Sequence, residues 1–243
     1  MSARRGARGH AYELVLTVEH AGRRVPAAYA KLFDTPEARA ALDSHRGWDP
    51  GAWTAARALG RATGVRPRAH AVTRLLVDVN RSLHHPTCFS EFSRHLPPDT
   101  RDRIAREHHL PHRAAVGRDV ERAVASCGRC VHVGVHTFAP ILDGVTRRAD
   151  LGILYDPRRC GERALGRAWA VALRAAVPGL GVRRNYPYRG RADGLTMTLR
   201  ARFADDAYQG VELELNQALF DMRSGRTAVR RIVAALAGQL ADR

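Results

Sequence analysis

Lysine is almost absent from this 243-residue chain: Lys31 is the only one among 40 basic residues, and the rest are arginines spread through every segment. No stretch approaches the roughly 18 to 20 consecutive apolar residues that a bilayer-spanning helix needs, which excludes a transmembrane protein. Residues 1–10 lack the apolar run of a secretion signal and are rich in Arg and Gly. They are expected to form a disordered basic tail, with the cytoplasm as the expected compartment. Cysteine is scarce too. Cys88, Cys127, Cys130 and Cys160 cannot staple a chain of this length, so reduced thiols are expected.

The formal charge of +16 and pI near 11.1 invite a nucleic-acid reading, because clustered cations gain affinity by releasing phosphate counterions. The arginines are dispersed, however, and no helix-turn-helix spacing, aromatic RNA-binding strand or zinc-finger ligand set accompanies them. Cys127-Gly-Arg-Cys130 has redox or zinc spacing, but it lacks a second pair for a four-sulfur site. It also ends a helical stretch and precedes a strand, the reverse of a thioredoxin-like motif, so a plain helix-to-strand turn is expected.

What is present is a regular alternation of apolar segments. Tyr12 to Val18 has strand length and stops at Glu19-His20-Ala21-Gly22. Asp49-Pro50-Gly51 opens an alanine-rich helix to about Ala62, with Asp49 at the N-cap position. Thr73 to Arg81 reads as a strand, Asp99 to Ser126 as a long helix, Val131 to Val135 as a strand leading into His136-Thr137, and Asp150 to Tyr155 as another strand. Gly161 to Val177 is a helix, Leu195 to Arg200 and Gly210 to Leu215 are strands, and Thr227 to Leu240 is a terminal helix. Strands alternating with helices, without repeats or linkers, predict one α/β domain over residues 11–243 with a largely parallel sheet.

In such a sheet ligands bind beyond the carboxyl ends of the strands. His20, Asn80, Arg81, His136, Glu212 and Glu214 all lie in or just after short apolar strands, although nearly 200 residues separate the first from the last. Two strand-end histidines with Asp49 between them would supply three ligands to a zinc ion and leave a fourth position for water. Taken singly, each is as readily a core or surface residue, and His84-His85 and His108-His109 look like solvated loop or helix-face groups.

Several blocks, in order, resemble the N-formylglutamate amidohydrolase family: Glu19-His20-Ala21-Gly22, Asp49-Pro50-Gly51, Asp78-Val79-Asn80-Arg81, His136-Thr137, Asn185-Tyr186-Pro187-Tyr188-Arg189-Gly190 and Glu212-Leu213-Glu214-Leu215-Asn216-Gln217. The resemblance runs from about residue 14 to 220. That family is similar in fold to zinc carboxypeptidases and aspartoacylases. The resemblance therefore implies a three-layer α/β domain with a central, mostly parallel mixed sheet, of the phosphorylase/hydrolase-like kind.

The resemblance also implies roles. Zinc carboxypeptidases place a Glu three residues after the first ligand His, but position 23 here is Arg23, and the family points instead to Asp49 as the acidic ligand between His20 and His136. Glu19 is the fallback, ranked lower because adjacent residues at a strand end point opposite ways. Thr137 is expected to support the His136 loop. Glu214 matches the family's Glu-Leu-Asn-Gln stretch and is expected to be the proton-transferring carboxylate, while Glu212 either shares the site or is a solvated edge group. Arg74 resembles the oxyanion-stabilising arginine of aspartoacylases, with spacing shifted by one residue.

Arg81 offers a planar fork for a carboxylate and Asn80 a directional donor, while Asn185, Tyr188 and Arg189 belong to a loop suited to closing over a ligand. The implied activity is zinc-dependent hydrolysis of the amide in an acidic N-formyl or N-acyl amino acid, with one Zn2+ per chain and no membrane or nucleic-acid partner. The alternatives are a zinc peptidase or amidase acting on peptide or cell-wall-like substrates, and a basic nucleic-acid-binding or regulatory protein on an inactive scaffold.

Overall fold

The structure is a computed structural model that describes residues 12–221 and 223–241. The expected N-terminal tail lies outside the described residues. The first strand, β1 (Glu13–Val18), is followed by a 3₁₀ segment, Ala27–Phe33, and helices α1 (Pro36–Asp43) and α2 (Ala52–Thr63). A two-residue strand β2 (Arg68–Ala69) leads through a long irregular stretch to α3 (Pro98–Ile104). One π-helical turn at Ala105–His109 joins α3 to α4 (Leu110–Cys127). Then come β3 (Cys130–Phe138), a small hairpin of β4 (Ile141–Leu142) and β5 (Val145–Thr146), β6 (Leu151–Leu154), α5 (Cys160–Ala176) and β7 (Val182–Arg184). The chain continues through α6 (Leu195–Arg202), β8 (Tyr208–Asn216), α7 (Ala218–Asp221) and α8 (Arg223–Ala241).

Six strands form one mixed sheet in the order β2-β1-β3-β8-β6-β7. Every pairing is parallel except β6 with β8. Period-two alternation divides the strands between two helical layers. Leu16 and Val18 of β1, Val131, Val133 and Val135 of β3, and Val211, Leu213 and Leu215 of β8 pack with Ala56 and Leu59 of α2, Trp169 of α5 and Leu236 of α8. The opposite face carries Val15, Cys130 and Tyr208 against Val116 and Val120 of α4 and Leu199 of α6. That second face also receives Thr17, His132, Gly134, His136, Glu212 and Glu214 by alternation, so the reactive side chains share one side of the sheet. Burial of Thr17 and His132 there is compensated by hydrogen bonding. The Thr17 hydroxyl lies 2.8 Å from His132 Nε2, and Nδ1 of the same ring lies 2.7 Å from the Tyr208 hydroxyl.

Two expected strands take other forms. Thr73 to Arg81 is a buried run of turns: Leu76 N donates to Thr73 O, Arg81 N to Asp78 O, and the Asp78 carboxylate accepts from Asn80 N at 2.9 Å. Leu75, Leu76 and Val77 are apolar because they pack on Phe33, Cys88 and Ile104, away from any ladder. Leu195 to Arg200 alternates in hydropathy but folds as α6, burying Leu195, Thr196 and Leu199 at helical spacing and leaving Met197 exposed. His109, expected on a solvated face, is 2% exposed, and its Nε2 lies 2.7 Å from the Arg81 carbonyl oxygen.

Cys127 ends α4 and Cys130 begins β3 across a left-handed Gly128, and both are free thiols, as the plain-turn reading expects. Among the described residues no helix is long and apolar enough to cross a membrane.

Candidate active site

β1 and β3 run parallel side by side, and their register continued past Val18 puts Glu19-His20 next to His136-Thr137, while β3 itself runs on to Phe138. The chain then adds Asp49. Its backbone N–H donates to the His20 carbonyl at 3.0 Å, and α2 begins only at Ala52 with left-handed Gly51 at its N-cap. The Asp49 side chain therefore does not cap the helix, contrary to the sequence expectation. It turns toward the histidines, with Oδ2 3.4 Å from His20 Nδ1 and 3.0 Å from His136 Nδ1. Its other oxygen accepts from Arg74. Ligand atoms of His20, Asp49 and His136 all lie within 4.8 Å of one another, and all three residues are buried.

Each imidazole has a carboxylate at its far nitrogen. His20 Nε2 is 2.7 Å from Asp78 Oδ1, and His136 Nε2 is 3.2 Å from Glu19 Oε2. Burial, with the Arg74 charge adding to it, pushes the His20 ring down to about 4, so it is neutral at pH 7. A neutral ring that donates Nε2–H to Asp78 presents the Nδ1 lone pair to Asp49 Oδ2, so two acceptors face each other. A cation between them would resolve that conflict, and two nitrogens plus one carboxylate oxygen form a donor set that could hold a metal ion. His136 differs: burial alone would lower it, but Glu19 and the more distant Glu214 and Glu212 raise it to about 9. A metal ion bound there would compete with a proton on that ring.

Glu214 stands directly across the β3–β8 ladder from His136. Burial raises its carboxyl to about 7; Glu212 pushes the same way, against His136 and Arg74. A carboxylate poised near neutrality is what proton transfer at pH 7 requires. The cavity in front of these groups has a volume of about 170 Å³, and its wall includes Asn80, Arg81, Tyr188, Arg189, Glu212 and Asp193.

Residues 12–220 match the family described as N-formylglutamate amidohydrolase. The chain belongs to the N-formylglutamate amidohydrolase family. Among solved structures it is similar to the gene product Atu2144 from Agrobacterium tumefaciens, at 26% identity and a TM-score of 0.77, over 95% of this chain and 91% of that one. It also shares the fold of N-formylglutamate amidohydrolase from Ralstonia eutropha JMP134, at 20% identity and a TM-score of 0.67, over 96% of each chain. None of the curated proteins matches the chain.

Within this amidohydrolase frame, nine of the ten residues expected as first-choice ligands, catalytic groups or substrate contacts line the cavity: His20, Asp49, His136, Glu214, Arg74, Asn80, Arg81, Tyr188 and Arg189. Asn185 does not. Its side-chain oxygen accepts from Tyr155 N at 3.0 Å and Gly190 N at 3.1 Å, anchoring the loop from inside. Asn80 Oδ1 accepts from Leu195 N at 2.9 Å, tying the turn after Asp78 to the start of α6. Arg81 Nη1 donates to the Asp193 carbonyl at 2.5 Å, which aims its fork. The Thr137 hydroxyl donates to the Pro50 carbonyl at 2.9 Å, locking the end of β3 to the start of α2. Glu212 lines the cavity and accepts from the Thr196 hydroxyl at 3.2 Å, a partnered position in place of a solvated edge.

Reading the sequence alone missed the service of Asp78 to His20, although Asp78 sits in a quoted motif, and it missed His45, which lines the cavity. It also missed His112. The available signal was periodicity: His112, Val116, Val120 and Ala123 share the buried stripe of α4, with His109 buried in the turn just before it, at a spacing that polar surface residues do not keep.

Proposed function

We propose that this chain is a zinc-dependent amidohydrolase that cleaves the amide of a small N-formyl or N-acyl amino acid with a free carboxylate, using His20, Asp49 and His136 as metal ligands and Glu214 as the proton-transferring group. The observation that carries the reading is the convergence of those three ligand atoms within 4.8 Å, across the ladder from a carboxyl raised to about 7. When bound, zinc would polarise the scissile carbonyl and lower the pKa of water to roughly 7. Glu214 accepts the proton of the water that adds to the carbonyl carbon. It returns that proton to nitrogen as the C–N bond breaks, releasing a carboxylic acid and a free amine.

Arg74 holds Asp49 in place and borders the cavity, where its charge favours a developing oxyanion. Arg81, oriented by Asp193, and Arg189 at the mouth supply guanidinium groups for a substrate carboxylate. The proposed site draws residues from the end of β1 through β8, which supports treating residues 11–243 as one catalytic domain. The cavity volume of about 170 Å³ is below the roughly 300 to 1,000 Å³ of pockets for drug-sized ligands, which favours a compact substrate over an extended peptide.

The test is a primary-amine release screen on zinc-loaded protein with N-formyl and N-acyl amino acids, their carboxamides, short peptides and cell-wall-like peptides. The acids should be cleaved and the carboxamides poorly used. Preferential cleavage of peptides would replace this reading with the peptidase one.

A further inference from the structure

Behind His136, outside the cavity wall, lies a carboxylate that the proposed chemistry does not use. Glu19 is 2% exposed, and alternation at the end of β1 turns its side chain away from His20 and onto the face that carries His136. Oε2 lies 3.2 Å from His136 Nε2, and Oε1 lies 3.8 Å from Nε2 of His112 on α4. His112 is buried as well, its ring packed edge-on to His70 at 5.2 Å between centroids. Neither Glu19 oxygen, nor His136 Nε2 or His112 Nε2, has a hydrogen-bond partner among the described residues, so the carboxylate meets the two imidazoles by charge and proximity.

We infer that Glu19, steadied by His112, is a positioning residue for the metal centre: it holds the proton on His136 Nε2 and so turns the Nδ1 lone pair toward Asp49 and the ion. The inference rests on the zinc reading above. An imidazole ligates through one nitrogen, and its orientation about the ring axis is set by whatever the other nitrogen donates to. Asp78 performs that service for His20 at 2.7 Å. Without Glu19 the His136 ring would have no acceptor on its far side, and the nitrogen facing Asp49 would be free to carry the proton. His112 acts at one remove, through the position of the carboxylate. Its effect must therefore disappear when the carboxylate is gone.

Zinc affinity measured on the full chain by competition with a chromophoric chelator, with secondary structure monitored by circular dichroism, tests this. Glu19→Gln keeps the shape but can accept from only one of the two imidazoles. It should bind zinc about 10- to 100-fold more weakly than the parent, the usual cost of losing such a partner. The visible spectrum of the cobalt-substituted protein should shift, a change that a purely structural loss would not produce. His112→Gln should weaken binding by a smaller factor, and the double variant should match Glu19→Gln alone. Affinity within twofold of the parent for Glu19→Gln, or a His112→Gln loss that adds in full on top of it, overturns the inference. If Glu19→Gln does not fold, His112→Gln decides, and unchanged affinity there overturns it. A parent protein that takes up no zinc, or a His136→Ala variant that keeps it, would instead defeat the zinc reading itself.

Discussion

Replacing Glu214 with Gln removes one negative charge and one proton acceptor while keeping the side chain's shape, so its effects on rate and stability can be separated. General acid–base catalysis contributes about 10²- to 10⁴-fold, or about 3 to 5 kcal/mol of barrier, and kcat should fall by that factor with metal content unchanged. The raised carboxyl near 7 sets the pH dependence. In the parent, kcat/KM should decline about tenfold per pH unit below that value, because only the ionised form accepts a proton. A bound dication moves this limb lower, and Glu214→Gln removes it altogether.

Stability should change in the opposite direction. A carboxyl raised from 4.5 to about 7 on folding costs nothing while both states are protonated, below pH 4.5. As pH rises from 4.5 through 7, the unfolded chain ionises first and the native state loses about 3 kcal/mol, at about 1.4 kcal/mol per pKa unit. Metal-free Glu214→Gln should therefore melt higher than metal-free parent at pH 8, and the difference should vanish below pH 4.5. Amine-release kinetics and thermal melts on the same preparations check both arms. Near-parental turnover with the acid limb intact, or a variant less stable at pH 8, would refute the assignment of Glu214 as a buried, strained proton acceptor.

Arg81→Lys keeps the charge but loses the planar fork, so kcat/KM toward acidic substrates should drop by a factor corresponding to about 2 to 5 kcal/mol while metal content holds; activity toward the corresponding carboxamide, already low, should barely change. Equal use of acid and carboxamide by the parent would remove Arg81 as carboxylate anchor. Gly152→Ala should lower the melting temperature and raise KM, because a Cβ there meets the Tyr186 carbonyl oxygen on one side and the Glu214 Cβ, at 3.2 Å, on the other. Overpacking of this kind costs about 1 to 3 kcal/mol and would displace the loop carrying Tyr188 and Arg189; an unchanged KM would detach that loop from substrate binding.

The β1, β3 and β8 strands were legible because a buried strand advertises itself as a short apolar run. Asp49 is a harder case. Local pattern made it a helix cap, and only the hydrogen bond from its N–H to His20 O shows why its side chain turns into the site. Thr73 to Arg81 misled because burial and strand pairing leave the same apolar imprint, and nothing local says whether a neighbouring strand exists. The six-residue span Leu195 to Arg200 is too short to tell period two from period 3.6 by hydropathy. The pairing of His112 with Glu19 was out of reach for another reason: it spans α4 and β1, and no local pattern says which ring faces which carboxylate.

Metal depletion and reconstitution test the zinc-hydrolase proposal most directly. The chelated protein should lose amine release from N-formylglutamate while keeping its fold. Added zinc should restore activity in proportion to occupancy up to about one ion per chain, and His20→Ala and His136→Ala should fail to recover. Full activity in the chelated protein, or zinc-restored activity in both histidine variants, would contradict it.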